Sequence, residues 1–106
     1  MPSGRQWRGG KAISLLQREM GFTRAEFLQL LPAALHGYAY TQDDNHIHVT
    51  LEGKSLRITL GEEQVRRIAA LALPWVPVEF DYAQLDEVAF QTFLRRFDLY
   101  YRKGGG

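Results

Sequence analysis

The chain has no cysteine in its 106 residues. Disulfides, thiol catalysis and thiolate metal sites are therefore excluded together, and packing alone must hold the core. Serine is nearly as scarce, and Ser3, Ser14 and Ser55 stand in no nucleophile-elbow context. No glycine loop of the phosphate-cradling kind occurs, because the glycines fall in caps, one turn and the two ends. No apolar run approaches the length that spans a bilayer, so no membrane role is expected. The opening residues MPSGRQWRGGKA place no apolar run after their charges, unlike a secretory signal, and a cytoplasmic protein is the expectation. A net charge of +1 is too near neutral for bulk attraction to nucleic acid.

What is present reads as one domain over residues 1–106. Apolar residues make up 45% and charged residues 24%, the balance of a globular protein with a core of its own. Residues 1–9 read as a flexible N-terminal arm, with Trp7 docking back on the body, and 103–106 as a flexible glycine tail.

The organising stretch is Gln64 to Tyr82. Val65, Ile68, Ala69 and Ala72 recur at helical spacing and predict a helix over 62–72, stopped by Pro74. Val76, Val78, Phe80 and Tyr82 then alternate with Pro77, Glu79 and Asp81, predicting a strand over 75–82. Pro77 cannot donate to a ladder, which points to a sheet edge or a bulge.

Before that unit, Ile13, Leu16 and Met20 with Leu15 predict a helix over 11–20, ended by Gly21. A second helix over 23–36 opens on a capping box, Thr23 with Glu26, and Pro32 predicts a kink or break within it. Tyr38 and Tyr40 suggest a short strand over 38–41. A hairpin follows, 46–51 paired with 56–60 through Gly53–Lys54, which sets Leu51 opposite Leu56, Val49 opposite Ile58 and Ile47 opposite Leu60. After the central unit, Phe90, Phe93, Leu94, Phe97, Tyr100 and Tyr101 predict a last helix over 84–102. The expected class is α+β: a mostly antiparallel sheet of three to four strands packed on four helices, with His46, His48, Thr50, Arg57 and Thr59 on the wet face.

Candidate chemistry is thin. Asp43, Asp44, His46 and His48 invite a metal site, but a stable one needs a placed third ligand and supporting shell. The better reading is a polar turn leading into the wet face of a hairpin, with no metal and no cofactor. Glu79 and Asp81 share a strand face without a neighbour that would raise one of them into an acid–base pair. No catalytic residue is assigned.

Aromatic and arginine side chains are the usual anchors of interfaces. Two groups qualify: Trp75 with Pro77 on the strand face opposite Val76, and Arg96, Tyr100, Tyr101 and Arg102 near the end of the last helix.

Two stretches resemble known motifs. QREMGFTRAEF resembles a helix-turn-helix, a helix and a glycine turn leading to a helix that starts at Thr23. The resemblance implies that Arg24 and Gln29 face a major groove, helped by Arg5, Arg8 and Lys11. HVTLEGKSLRITLGEEQVRRIAAL followed by a strand is similar to the start of a ubiquitin-like β-grasp. In that family an exposed terminal Gly-Gly is activated at its carboxylate, which implies a carrier role for Gly104–Gly106 here.

The expectation is a non-catalytic module whose partner is another protein, with self-association included. Nucleic-acid binding and a carrier role are the alternatives.

Overall fold

The computed structural model describes residues 14–102 in full, and the backbone of 7, 8, 11, 12 and 103–105. In chain order the elements are β1 (Trp7–Arg8), β2 (Lys11–Ala12), β3 (Leu15–Met20), α1 (Arg24–Ala34), β4 (Ala39–Asp43), β5 (His46–Leu51), β6 (Lys54–Leu60), β7 (Gln64–Ile68), β8 (Leu71–Asp81) and α2 (Glu87–Gly105). β1 and β2 form a two-residue ladder. The others build a six-stranded antiparallel sheet in the order β3-β8-β6-β5-β4, with β7 pairing β8. Both helices lie on one face of it.

Local chemistry accounts for the helices. Thr23 Oγ1 accepts from the Glu26 amide at 3.0 Å, and the Glu26 carboxylate accepts from the Thr23 amide at 2.9 Å, the reciprocal cap expected of that pair. Pro32 leaves α1 unbroken and sits in its last turn, two residues before Ala34 ends it. Asp86 caps α2 by accepting from the Ala89 amide at 2.7 Å. The apolar stripe of α2 buries Phe90, Phe93, Leu94, Phe97 and Tyr101. Phe97 meets Phe80 of the sheet edge-to-face at 5.3 Å, and Tyr101 stacks on Phe27 of α1 at 4.9 Å. From the sheet, alternate residues complete the core: Ile47, Val49 and Leu51, then Leu56, Ile58 and Leu60, then Val76, Val78 and Phe80. No helix among the described residues is long and apolar enough to cross a membrane.

The expected sheet of three to four strands on four helices is overturned: among the described residues the sheet has six strands and the helices covering it are two. Helices 23–36 and 84–102 correspond to α1 and α2. The helix expected over 11–20 is overturned: Lys11–Ala12 is strand β2 and Leu15–Met20 is the edge strand β3, on which Leu16, Arg18 and Met20 face the helices. Arg18 hid that alternation from view. Its guanidinium crosses the Phe80 ring at 5.7 Å and pairs with Asp98 of α2 in two bonds of 2.5 and 2.8 Å. The helix over 62–72 is also absent, because Gln64–Ile68 and Leu71–Trp75 pair as two strands.

Two smaller corrections follow. The β5–β6 turn is Glu52–Gly53, with φ of 50° and 79° at its two central residues, as a type I′ turn requires. Leu51 therefore faces Lys54, Val49 faces Leu56 and Ile47 faces Ile58, a two-residue slip that keeps the same side chains inside. The strand over 75–82 begins earlier, at Leu71, and is interior rather than an edge, since β3 and β6 flank it.

Candidate functional site

Strand β8 is longer than the sheet it belongs to. Its second half, Val76–Asp81, pairs with β3, and Val78–Asp81 also pairs with β6. Its first half, Leu71–Trp75, pairs among the described residues with β7 alone and runs out as a two-stranded arm that no other described strand flanks. β6 and β7 are one strand interrupted by a bulge. From Leu60 opposite Val78 to Gln64 opposite Trp75, that side advances four residues while β8 advances three.

Gly61 and Pro77 make the bulge. The Gly61 amide donates to the Pro77 carbonyl at 2.8 Å. In an antiparallel strand a residue's N–H and C=O point to the same side, so the N–H that Pro77 lacks would have entered the disrupted part of the ladder. A proline thus sits in an interior strand without orphaning a partner. A Cβ at Gly61 would lie 2.8 Å from Pro77 Cγ, so the ring needs glycine there.

The arm presents its large aliphatic side chains to solvent: Val65 is 52% exposed, Ile68 51%, Leu71 60% and Leu73 43%. Ile68, Leu71 and Leu73 share the face of Trp75, away from the helices, as the pairings Ile68–Leu71 and Arg66–Leu73 require. At the foot of this ridge lies an open groove of about 450 Å³, lined by Trp75, Pro77 and Gly61 with Gln17, Glu19 and Glu79 around it. A smaller notch of about 290 Å³ lies between Trp75, Leu73, Pro74 and Gly21. Arg66 holds its guanidinium 5.4 Å from the Trp75 ring and pairs with Glu19 at 2.9 Å. Gln17 donates to Glu79 at 3.0 Å. The groove therefore has an apolar floor, an aromatic wall and a polar rim whose members already hold one another. This arrangement suits contact with another surface.

Trp75 and Pro77 meet in this groove, away from the second predicted group. Arg96 donates to the His36 carbonyl and lies between Tyr38 at 5.1 Å and Tyr100 at 5.9 Å, clamping α2 to the end of α1. Tyr101 is buried, and its hydroxyl donates to the Phe27 carbonyl at 2.7 Å. Burial, then the nearby Tyr40, pushes the Tyr101 phenol far above its ordinary range. Arg102 is exposed.

Arg24 binds Asn45 Oδ1 at 2.7 Å and ties α1 to the β4–β5 turn, while Gln29 is exposed on α1. Arg5 lies outside the described residues, and of Arg8 and Lys11 only the backbone is described, where they face each other across the first ladder. The helix-turn-helix resemblance fails because its first helix is β3. The β-grasp resemblance fails because its helix is β7 with the start of β8. α2 runs through Gly104 and Gly105, and Gly106 lies outside the described residues. His46 and His48 stand side by side on the solvent face with ring centres 6.5 Å apart, and among the described residues no metal-holding cluster forms.

Sequence reasoning missed Ile68, Leu71 and Leu73 as a surface. One signal marks them. Leu71, Leu73 and Trp75 alternate in one phase, and Val76, Val78 and Phe80 in the other. A strand whose apolar phase flips in mid-course is greasy on one face where it leaves the sheet and on the opposite face where it joins it.

No family model, curated protein or solved structure matches this chain.

Proposed function

We propose that this chain is a protein–protein interaction module, without catalytic function, whose contact element is the arm of residues 64–75 with the groove at its foot. The observation that carries the reading is the exposure of Ile68, Leu71 and Leu73 together on one face of a ribbon whose outer edges no described strand pairs. Scattered aliphatics on a surface are ordinary, whereas a contiguous patch marks a binding site. An isolated two-stranded ribbon is also marginal in water, so docking stabilises the arm as well as the complex. Finishing the burial of these three half-exposed side chains contributes about 2–4 kcal/mol in total before association costs. That is enough to drive a contact, and it is unevenly placed on the molecule. The cytoplasmic setting is part of this proposal and rests on the sequence.

The test is site-specific photo-crosslinking in the source cell. A photoreactive residue replacing Ala70, at the arm tip, should give adducts, whereas the same residue replacing Gln29 on α1 should give few. Equal yields from the two positions would remove the arm as the contact element.

A further inference from the structure

We infer that the arm docks against a second copy of this chain, in a closed two-fold dimer that lays each arm over the other's groove. This rests on the reading of the arm as a docking element and names its occupant.

Ridge and groove lie on one face of one strand. Leu71 and Pro77 are both on the outer face of β8, six residues or roughly 20 Å apart at strand rise. A two-fold axis crossing β8 near Pro74 brings Leu71 over the other copy's Pro77, and Leu73 over its Trp75, twice at once. Such self-complementarity is what an isologous interface needs.

Charge permits it. This region carries Arg57 and Arg66 against Glu19, Glu79 and Asp81, and these groups are engaged within their own copy. Arg66 meets Glu19 at 2.9 Å, Arg57 meets Asp81 at 3.3 Å, and Gln17 donates to Glu79 at 3.0 Å. Two such faces approach with little like-charge repulsion.

The arm's β8 edge disfavours the rival mode, open-ended strand addition. The Tyr82 amide donates toward β3, to the Ser14 carbonyl at 3.0 Å, so even-numbered residues of β8 point their backbone groups to that side. Beyond Val76 no described strand lies on that side, and the position that would offer its next N–H is Pro74, which has none. Face-to-face docking avoids that proline and closes on itself, whereas pairing along the β7 edge would leave a dimer indifferent to Leu71→Asp. About a dozen positions a side, against the 20–30 of a standard interface, put the dimer at the weak end. Its Kd should lie in the micromolar range.

The absence of native cysteine makes the test clean. The full chain carrying Ala70→Cys with a nitroxide should show one defined intermolecular distance by pulsed electron resonance. Sedimentation equilibrium between 1 µM and 1 mM should show the 12.2 kDa chain rising toward twice that mass. Leu71→Asp and Leu73→Asp should each weaken the dimer at least tenfold with an unchanged circular dichroism spectrum, and Gln29→Asp should not. A chain that stays monomeric at 1 mM, or a dimer indifferent to Leu71→Asp, overturns the inference. Crosslinked adducts from position 70 that contain a different protein, with a monomeric purified chain, sink the second copy and spare the docking arm. Neither adducts nor a dimer would sink both.

Discussion

Replacing Gly61 by alanine tests the origin of the arm. Gly61 has no positive φ, so its backbone accepts alanine, and the nearest obstacle is the Pro77 ring. The new methyl carbon would sit 2.8 Å from Pro77 Cγ, 3.1 Å from Cβ and 3.4 Å from Cδ. Carbon atoms pack best at about 3.5–4.0 Å, and a proline ring cannot rotate away. Relief requires the backbones of the bulge and β8 to part, an overpacking cost of about 1–3 kcal/mol. The alanine also lowers the entropy of the unfolded chain, which offsets roughly 0.4–1 kcal/mol. The net expectation is a loss of about 1–2 kcal/mol, or a melting point lowered by roughly 5–15 °C. Urea titration should show a lower midpoint with an unchanged slope. Pro77→Ala removes the ring and should cost little alone, because the restored N–H faces the bulge. In the double variant most of the Gly61→Ala loss should vanish, giving a coupling energy of about 1 kcal/mol or more. Strictly additive losses would refute the claim that glycine and proline are a matched pair here.

Two further outcomes follow from the core and the helix clamp. Burial holds the Tyr101 phenol protonated in the folded chain, while in the unfolded chain it ionises near its ordinary pKa of 10.0. Stability is therefore full below pH 10 and declines above it, by up to about 1.4 kcal/mol per pH unit from this group. Tyr101→Phe should flatten that alkaline loss while costing about 1 kcal/mol at neutral pH through the missing bond to the Phe27 carbonyl; equal alkaline slopes in urea titrations at pH 8–11 would contradict it. Arg96→Ala removes a hydrogen bond and contacts to two tyrosine rings, so a loss of about 1–2 kcal/mol is expected in thermal unfolding. Lysine at 96 should recover less than half, because it lacks the planar fork that stacks and donates at once.

The two helices of the core were legible in the chain because cause and signal lie within a few residues of each other. Thr23 and Glu26 cap each other locally, and the aromatic stripe from Phe90 to Tyr101 keeps its period whatever covers it. Alternation in 46–51 and 56–60 likewise named the inward side chains, even with the turn misplaced by one residue, since a slip of two preserves the face. Trp75 and Pro77 were visible as surface candidates for the same reason: they oppose Val76 and Val78 in phase. The strands at 15–20 and 64–68 were not legible. In the first, Arg18 occupies an inward position that only Asp98, 80 residues away, makes tolerable. In the second, Val65, Ile68, Ala69 and Ala72 fit a helix, and the Ala69–Ala70 turn carries none of the residues that usually announce one, although Ala69 stands at a φ of 54°. What makes this segment a strand is the partner already in place: β6 is paired with β8, and past the bulge the ladder continues. Tertiary structure alone decided the arm, because a strand is defined by the backbone beside it, and that backbone is remote in sequence.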